Sequence, residues 1–570
     1  MLAGDAYRWG AIALLVAAWA PWRAPSRDAL SVLLLLFCGW MLADALFVTP
    51  AYAAEGWYRP VILFASFAAF ASLPREAGLR LFKGGVAVVA ILVLLGLAQH
   101  FLGFWHLENN PVRAAALFIT PNTFATVINL FLLPLAVLYV VAARSPRVLA
   151  LALWLFAGLV ASQSRGGMLA FLAGLSFAAA CLGWRRLSEA RKYVARLVAG
   201  SAAVWVLVAG LGVIAPNVVL DQEKSVAPGT QSASSDSFVD PWAGRVIWDR
   251  KEIYAATWQL IREHPFAGAG ANMFKPLFEP VRPAVFGEKK IIFAHNDYLQ
   301  IWLEYGLPGL ILFAAVGIAA LARARGLSRR TGDPLPVASG AALASCFAHA
   351  FVDFPFYIPF ILYVIGAFCG VLAPMTASAD TDRGKALPLS VRAALAFTAV
   401  ALLAQPMVAQ WASRHAFAVM GRGDLSAGLY WQSVARRLEP RNPEHYWREA
   451  VIWQQIAQDT GDRAQWARAD RLLAEGMQAN PPNAFTITLD RARMHRLHAN
   501  MLDKAGSPEE VLGWVQGALA LAPTSVVGQA ELARSLAFAG RDEEARRIER
   551  TLVAQRPHDP LVLKLQKDLK

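Results

Sequence analysis

The sequence predicts an all-α membrane protein, a polytopic bundle of about 12 spans with a polar helical domain at the C-terminus. The chain is 56% hydrophobic and only 17% charged, whereas soluble domains are about 45–50% apolar and about 25% charged. The apolar residues are concentrated in stretches of about 16–25 residues, which is long enough to cross a bilayer. Beyond residue 412 the sequence becomes polar and amphipathic.

These stretches divide the chain into four predicted regions. They are an N-terminal transmembrane bundle (1–215), a loop with amphipathic helices (216–296), a second group of transmembrane helices (297–412) and a helical-repeat domain (413–570). By the length rule, the candidate spans are 9–22, 30–48, 57–73, 84–104, 122–142, 148–162, 167–184, 195–215, 297–321, 338–352, 357–372 and 391–411.

The charge of the short loops predicts how the bundle is oriented. One set of loops is rich in Lys and Arg and lies near residues 23–27, 75–83, 144–147, 185–196, 323–330 and 383–385. The alternate loops, 49–56, 103–121 and 353–355, contain almost none. The positive-inside rule places the basic set in the cytoplasm. The 216–294 loop and the C-terminal domain are therefore expected outside, and the net charge of +13 does not indicate a nucleic-acid partner.

The sequence gives little support to a soluble-enzyme mechanism. It has no Gly-rich phosphate loop, no nucleophile elbow and no zinc-ligand spacing. The four cysteines all lie in apolar runs, which predicts buried free thiols and neither a disulfide nor a metal site. Polar groups at the membrane edge are costly, so they become the functional candidates.

The tail shows repeated amphipathic helices broken by proline-containing turns. The breaks at Pro440, Pro481, Pro523 and Pro557 recur roughly every 40 residues, a period typical of helical solenoids. The segment "AELARSLAFAGRDEEARRIERTLVAQRPHDP" resembles a tetratricopeptide repeat. Such a domain either binds a protein partner along its concave face or merely packs on the loop below it. The pair His495 and His498 is expected on a solvated face.

Two polar residues are predicted at the same depth of the outer membrane face. Arg165, in "SQSRGGMLAFL", begins a span at the face where arginine is otherwise rare. Its guanidinium either snorkels harmlessly or holds a phosphate through bidentate hydrogen bonds. His295 stands where the long loop re-enters the membrane, and the next residue, Asn296, is a candidate helix cap.

Further candidates lie on an outer helix and in a tight return between spans. Arg245 falls in the first turn of an aromatic-rich amphipathic helix, which is expected to lie on the membrane or cap the bundle. His349 and Asp353 are spaced i, i+4 near the outer end of a span. That pair is either a structural clamp or a proton relay.

Together these segments resemble the O-antigen ligase superfamily, which includes O-antigen ligases, Wzy-type polymerases and pilin-type O-oligosaccharyltransferases. Arg165 and Leu169 match the pattern Arg-x3-Leu. The pattern His-[Asn/Ser/Gln]-x9-Gly-x2-Gly is matched by His295, Asn296, Gly306 and Gly309. The outer-loop pattern "GR…W…HP…G.G.N.F" is matched by Gly244, Arg245, Trp248, His264, Pro265, Gly268, Gly270, Asn272 and Phe274. The early "PN..A" element is matched by Pro121, Asn122 and Ala125.

This resemblance implies a GT-C-like glycosyltransferase of the bacterial inner membrane, with its C-terminal domain in the periplasm. The donor would be a glycan on undecaprenyl diphosphate, transferred with inversion and without a metal or cofactor. Arg165 and Arg245 would stabilise the diphosphate. His295 would act as general base or bind diphosphate as imidazolium. Asn122, His349 and Asp353 are further substrate-binding candidates.

The resemblance leaves the acceptor open among a protein hydroxyl, a growing polysaccharide and lipid A-core. A repeat domain favours the first two, since typical lipopolysaccharide ligases lack it. Two other classes of function remain as alternatives. One is a transporter, since some superfamily members carry a bicarbonate-transporter label, although no inverted repeat is evident. The other is a scaffold whose repeats recruit the partners of a polysaccharide assembly complex.

Overall fold

The structure is a computed structural model that describes residues 28–48, 56, 58–103, 113–118, 120–214, 245–283, 286, 291–373, 388–481, 484–502, 506–557 and 559–569. All regular secondary structure in these ranges is helical, and the predicted all-α bundle is confirmed. The candidate span 9–22 lies outside the described residues.

In the described residues up to 372, twelve helices build the body, and each remaining candidate span before residue 373 coincides with one of them. They are α1 (Ala29–Phe47), α2 (Tyr58–Ser72), α3 (Arg75–Leu102), α4 (Pro121–Leu138, extended by a π turn, Tyr139–Ala143), α5 (Pro146–Ala161), α6 (Arg165–Glu189), α7 (Arg191–Ile214), α8 (Arg245–Glu263), α9 (Phe274–Val281), α10 (Asp297–Thr331), α11 (Pro334–His349) and α12 (Pro359–Leu372). A 3-10 turn, Pro355–Tyr357, precedes α12.

Five of the described helices are long and apolar enough to cross a membrane, by length and composition. They are Arg75–Leu102, Pro121–Ala143, Arg165–Glu189, Arg191–Leu211 and Asp297–Thr331, and four shorter apolar helices accompany them. Helices α4 and α11 are buried along almost their whole length, so they form the centre of the bundle. Lipid offers no hydrophobic drive between helices, and small residues therefore allow close packing: Gly366 and Gly370 of α12 face the backbone of α2.

The basic loops that the structure describes, near residues 75–83, 144–147, 185–196 and 323–330, meet at one end of the bundle. Arg75 forms an ion pair with Asp333 at 2.9 Å, and Arg186 approaches Gly332. At the opposite end, the turn between α5 and α6 accepts a hydrogen bond from Arg113, whose Nε lies 3.2 Å from the carbonyl of Ser162. The chain is thus a multi-pass bundle with two chemically distinct ends, and the assignment of these ends to cytoplasm and periplasm stays a prediction.

In its described residues, the tail contains a long helix and eight shorter ones. They are α13 (Leu389–Met420), α14 (Leu425–Leu438), α15 (Pro443–Thr460), α16 (Arg463–Ala479), α17 (Phe485–Leu497), α18 (Pro508–Leu521), α19 (Val526–Phe538), α20 (Asp542–Gln555) and α21 (Pro560–Asp568). Each helix packs on the next, and α15, α17, α19 and α21 also contact one another in order. This arrangement is a stack of helical pairs, and its assignment to the tetratricopeptide family stays a prediction.

A buried ionic cluster stabilises the tail. The Asp470 carboxylate receives hydrogen bonds from Arg491 at 2.6 Å and from His495 at 2.8 Å. Burial alone would raise the pKa of Asp470, but these hydrogen bonds and charges lower it to about 2. The prediction that His495 lies on a solvated face is wrong: its side chain is 2% exposed, because its ring also accepts the backbone N–H of Gly506.

Candidate functional site

Arg165 is the first residue of α6, at the end of the bundle opposite the basic loops. Its side chain is exposed. The cap of this helix is Ser164, whose hydroxyl accepts the backbone N–H of Gly167 at 3.0 Å. Because the first amides of a helix carry partial positive charge, Arg165 adds a full charge to a terminus that already favours anions.

Asn122 joins this helix start to the start of α4. Its amide oxygen accepts hydrogen bonds from Ser164 Oγ at 2.8 Å and from Arg113 Nη2 at 3.3 Å. This amide oxygen therefore has a structural use within the protein, whereas the sequence suggested only substrate binding for Asn122. The role of Arg113 was missed, although it is the one Lys or Arg residue in the short outer loops 49–56, 103–121 and 353–355.

His349 packs directly behind Arg165. A Cβ on Gly166 would lie 2.9 Å from His349 Nε2, so glycine is needed for this close approach. The imidazole is 1% exposed, and its Nδ1 shares a hydrogen bond of 2.7 Å with Thr126 Oγ1. Among the described residues, Nε2 has no hydrogen-bond partner.

The sequence suggested His349 and Asp353 as a pair, with Asp353 in the tight return after the span. Helix α11 ends at His349, so the two residues do not share a helical face. Asp353 instead faces His295: the distance from Asp353 Oδ1 to His295 Nδ1 is 3.5 Å. Asp353 is 2% exposed and the His295 side chain 29% exposed. In the described part of the chain, neither of these two atoms makes a hydrogen bond.

Two contacts hold the backbone around His295. His295 has a left-handed backbone, with φ of 53°, and its carbonyl accepts a hydrogen bond of 2.8 Å from Tyr254 of α8. Burial raises the pKa of Tyr254 above its ordinary value, so the hydroxyl keeps the proton it donates. Asn296 caps α10 as predicted, accepting the N–H of Leu299 at 3.1 Å.

Asp297 fixes the start of α10 against the return loop that carries Asp353. Its carboxylate accepts the backbone N–H of Phe356 at 2.9 Å, and its own N–H donates to the carbonyl of Ala350 at 2.8 Å. The side chain is fully buried. These contacts hold His295 beside Asp353, and sequence reasoning did not single out Asp297.

The outer loop between α8 and α9, residues 264–273, docks into a kink of α10. The helix breaks at Gly306, where φ is 67° and ψ is −174°. The freed carbonyls of Leu303 and Glu304 accept the N–H groups of Ala269 and Gly270 at 2.7 and 2.9 Å. Gly306 therefore allows close contact with this loop: a Cβ there would lie 2.0 Å from the carbonyl oxygen of Phe266.

Arg245 begins α8, although its side chain lies outside the described part of the chain. The helix itself caps the bundle end, because Ile253, Leu260 and Ile261 pack in one cluster with residues of α9 and α10. Within the described ranges, no group of three or more His, Cys, Asp or Glu side chains is placed to hold a metal ion.

A buried charged pair was also missed. Arg59, in α2, lies 3.3 Å from Glu304 of α10, with side chains 12% and 0% exposed. The sequence did contain a signal, since an arginine and a glutamate inside predicted apolar spans are costly unless they are paired.

Comparison with known proteins identifies one family. The family model described as O-antigen ligase matches residues 150–314. This segment includes Arg165, Arg245 and His295, together with the outer loop and the kink in α10, and the resemblance drawn from the motifs is confirmed. No curated protein matches the chain.

Proposed function

We propose that the chain is a membrane glycosyltransferase of the ligase and polymerase type, because residues 150–314 match the family model described as O-antigen ligase. Its donor is a glycan linked to undecaprenyl diphosphate, and its acceptor is a hydroxyl group outside the bacterial inner membrane. The observation that carries this proposal is the pairing of His295 with the buried Asp353 at 3.5 Å, at the bundle end where Arg165 begins α6.

The pairing supports His295 as the general base. Since Nδ1 faces Asp353, Nε2 remains for the acceptor hydroxyl. The hydroxyl oxygen forms a bond to the anomeric carbon, while the bond from that carbon to the diphosphate oxygen breaks and its electron pair leaves with the diphosphate. The proton passes to His295, and the resulting imidazolium is stabilised by the Asp353 carboxylate. Attack opposite the leaving group inverts the anomeric centre, and the step requires no metal or cofactor.

The developing charge on the diphosphate requires cations. Arg165 provides one at the N-terminus of α6, where the helix dipole adds to its effect. Arg245 is the proposed second cation, at the first position of α8. His349 lies beside Gly166, within reach of the same region, and we assign it a supporting role in donor binding together with Asn122.

The acceptor class is proposed from the tail. A stack of helical pairs offers an extended surface to a partner, which favours a protein hydroxyl or a growing polysaccharide over lipid A-core. Loss of glycan from proteins, shortening of a polysaccharide, or uncapped core lipid in a deletion strain distinguishes the three acceptors.

Complementation of a glycan-assembly mutant tests the reaction. Arg165→Ala, Arg245→Ala and His295→Ala are each expected to lower glycan transfer by at least about 100-fold, because each removes charge stabilisation or proton transfer. Arg262→Ala is the matched control, since Arg262 is exposed at the far end of α8. Normal glycan from all three variants, at normal protein levels, contradicts the proposal.

A pH profile separates the two roles of His295. A general base loses activity as the pH falls and the imidazole is protonated. A diphosphate ligand loses activity as the pH rises and the imidazolium is lost. We expect the first profile, and we expect His295→Gln to abolish the low-pH limb.

A further inference from the structure

The proposed reaction makes no use of the buried pair between Arg59 and Glu304, which lies at the same end of the bundle. Glu304 Oε2 accepts a hydrogen bond from Tyr357 at 2.9 Å, and Oε1 accepts one from Gln300 Nε2 at 3.1 Å. The guanidinium of Arg59 lies 3.9 Å from the centre of the Tyr357 ring. A charged network this complete keeps both ions in one fixed position, since any movement would leave a buried charge without its partner.

Arg59 extends this network to the outer loop. Its Nη2 donates to the side-chain oxygen of Asn272, a residue with left-handed backbone at φ of 61°. The neighbouring amide of Ala271 donates to the buried carboxylate of Asp44, at 2.8 Å. The end of the loop is thus held by α1 and α2, and its middle by the kink in α10.

This outer loop connects α8 to α9 and, through its contacts with α1, α2 and α10, to the transmembrane bundle. Helix α8 begins at Arg245 and contacts the carbonyl of His295 through Tyr254. If the loop shifts, then α8 shifts relative to His295. Arg245, assigned to the leaving diphosphate, and His295, assigned to the acceptor hydroxyl, then lose their relative positions.

We propose that Arg59 is a positioning residue for the glycan-transfer site, which it serves by fixing Asn272 and thereby the helix that carries Arg245. This inference rests on the proposed function. Arginine suits the task because its planar fork binds Glu304 and Asn272 at once, whereas lysine is a single point charge.

Two variants and their combination test the inference in the full-length protein. Arg59→Lys keeps the charge beside Glu304 but loses the fork. Asn272→Gly removes the amide, leaves the ion pair intact and accepts the left-handed backbone. Arg80→Lys is the control, since the Arg80 side chain is 82% exposed on α3. Spin labels at Glu252 on α8 and Leu169 on α6, both exposed, report the position of α8 after the four native cysteines are replaced by alanine.

We expect each single variant to broaden the distance distribution between the labels. Each is also expected to lower transfer per folded protein by at least about 10-fold, with the double variant no worse than the poorer single one. The control should match the wild type. Unchanged distances, transfer within about two-fold of wild type, or multiplying effects in the double variant overturn the positioning role. Asn272→Gly decides the outcome if Arg59→Lys does not fold. Normal transfer by Arg165→Ala and His295→Ala would instead remove the proposed reaction, while the distances still report on the loop.

Discussion

The kink at Gly306 gives a sharp test of how the outer loop is held, because the chain contains a matched glycine. Gly306 has φ of 67° and ψ of −174°, and Gly183 of α6 has φ of 71° and ψ of 164°. Both occupy a backbone region that only glycine adopts easily. Alanine is expected to cost about 1–3 kcal/mol at either position from backbone strain alone.

The surroundings of the two glycines differ. A Cβ at Gly306 would lie 2.0 Å from the Phe266 carbonyl oxygen, whereas a Cβ at Gly183 would meet nothing within 4 Å. Gly306→Ala must therefore displace the loop by roughly 1 Å and lose two backbone hydrogen bonds, to Ala269 and Gly270, at about 1 kcal/mol each. The excess cost over Gly183→Ala is about 2 kcal/mol. A displacement of that size is also expected to lower transfer about 100-fold.

Thermal unfolding in detergent and complementation measure the two effects. Gly306→Ala should melt below Gly183→Ala and fail to restore glycan, while Gly183→Ala should restore it. Equal melting temperatures and equal glycan levels for the two variants would contradict this expectation. They would mean that contact with the loop adds nothing to the cost of the backbone conformation at Gly306.

Three further predictions follow from the site and the tail. Asp353→Asn should lower transfer about 10–100-fold, because the imidazolium of His295 loses its counter-ion, and complementation at normal protein levels measures this loss. Arg282, which is buried at the end of α9, donates a hydrogen bond of 3.1 Å from its Nε to Thr524 of the tail. Arg282→Met and Thr524→Val should therefore show a coupling of about 1–2 kcal/mol in a double-mutant cycle of unfolding. Additive effects would disprove this link. Asp470→Asn should cost about 2 kcal/mol of tail stability at pH 7. Because the folded pKa of Asp470 is about 2, below its ordinary 3.8, that contribution is full above pH 3.8 and is lost as the pH falls through 2. The wild type but not the variant should therefore show this loss in an acid titration followed by circular dichroism.

Local sequence patterns were sufficient to predict the class of the protein. Apolar stretches of membrane-crossing length predicted the helices because every backbone polar group in lipid must be satisfied within its own segment. Local patterns also predicted the Asn296 cap, and the order of short motifs containing Arg165, Arg245 and His295 predicted the family. These are properties of neighbouring residues, so a linear reading suffices for them.

Which polar groups meet became clear only from the packing of the helices and loops. Asp353 appeared to pair with His349 by spacing, yet the return loop after α11 also brings Asp353 to His295, which the spacing did not predict. Arg59 and Glu304, 245 positions apart, could not be matched from local pattern. The reason is physical: the partner of a buried charge depends on how whole helices and loops pack around it, and the outer loop meets the kink in α10 only through contacts that are distant in sequence.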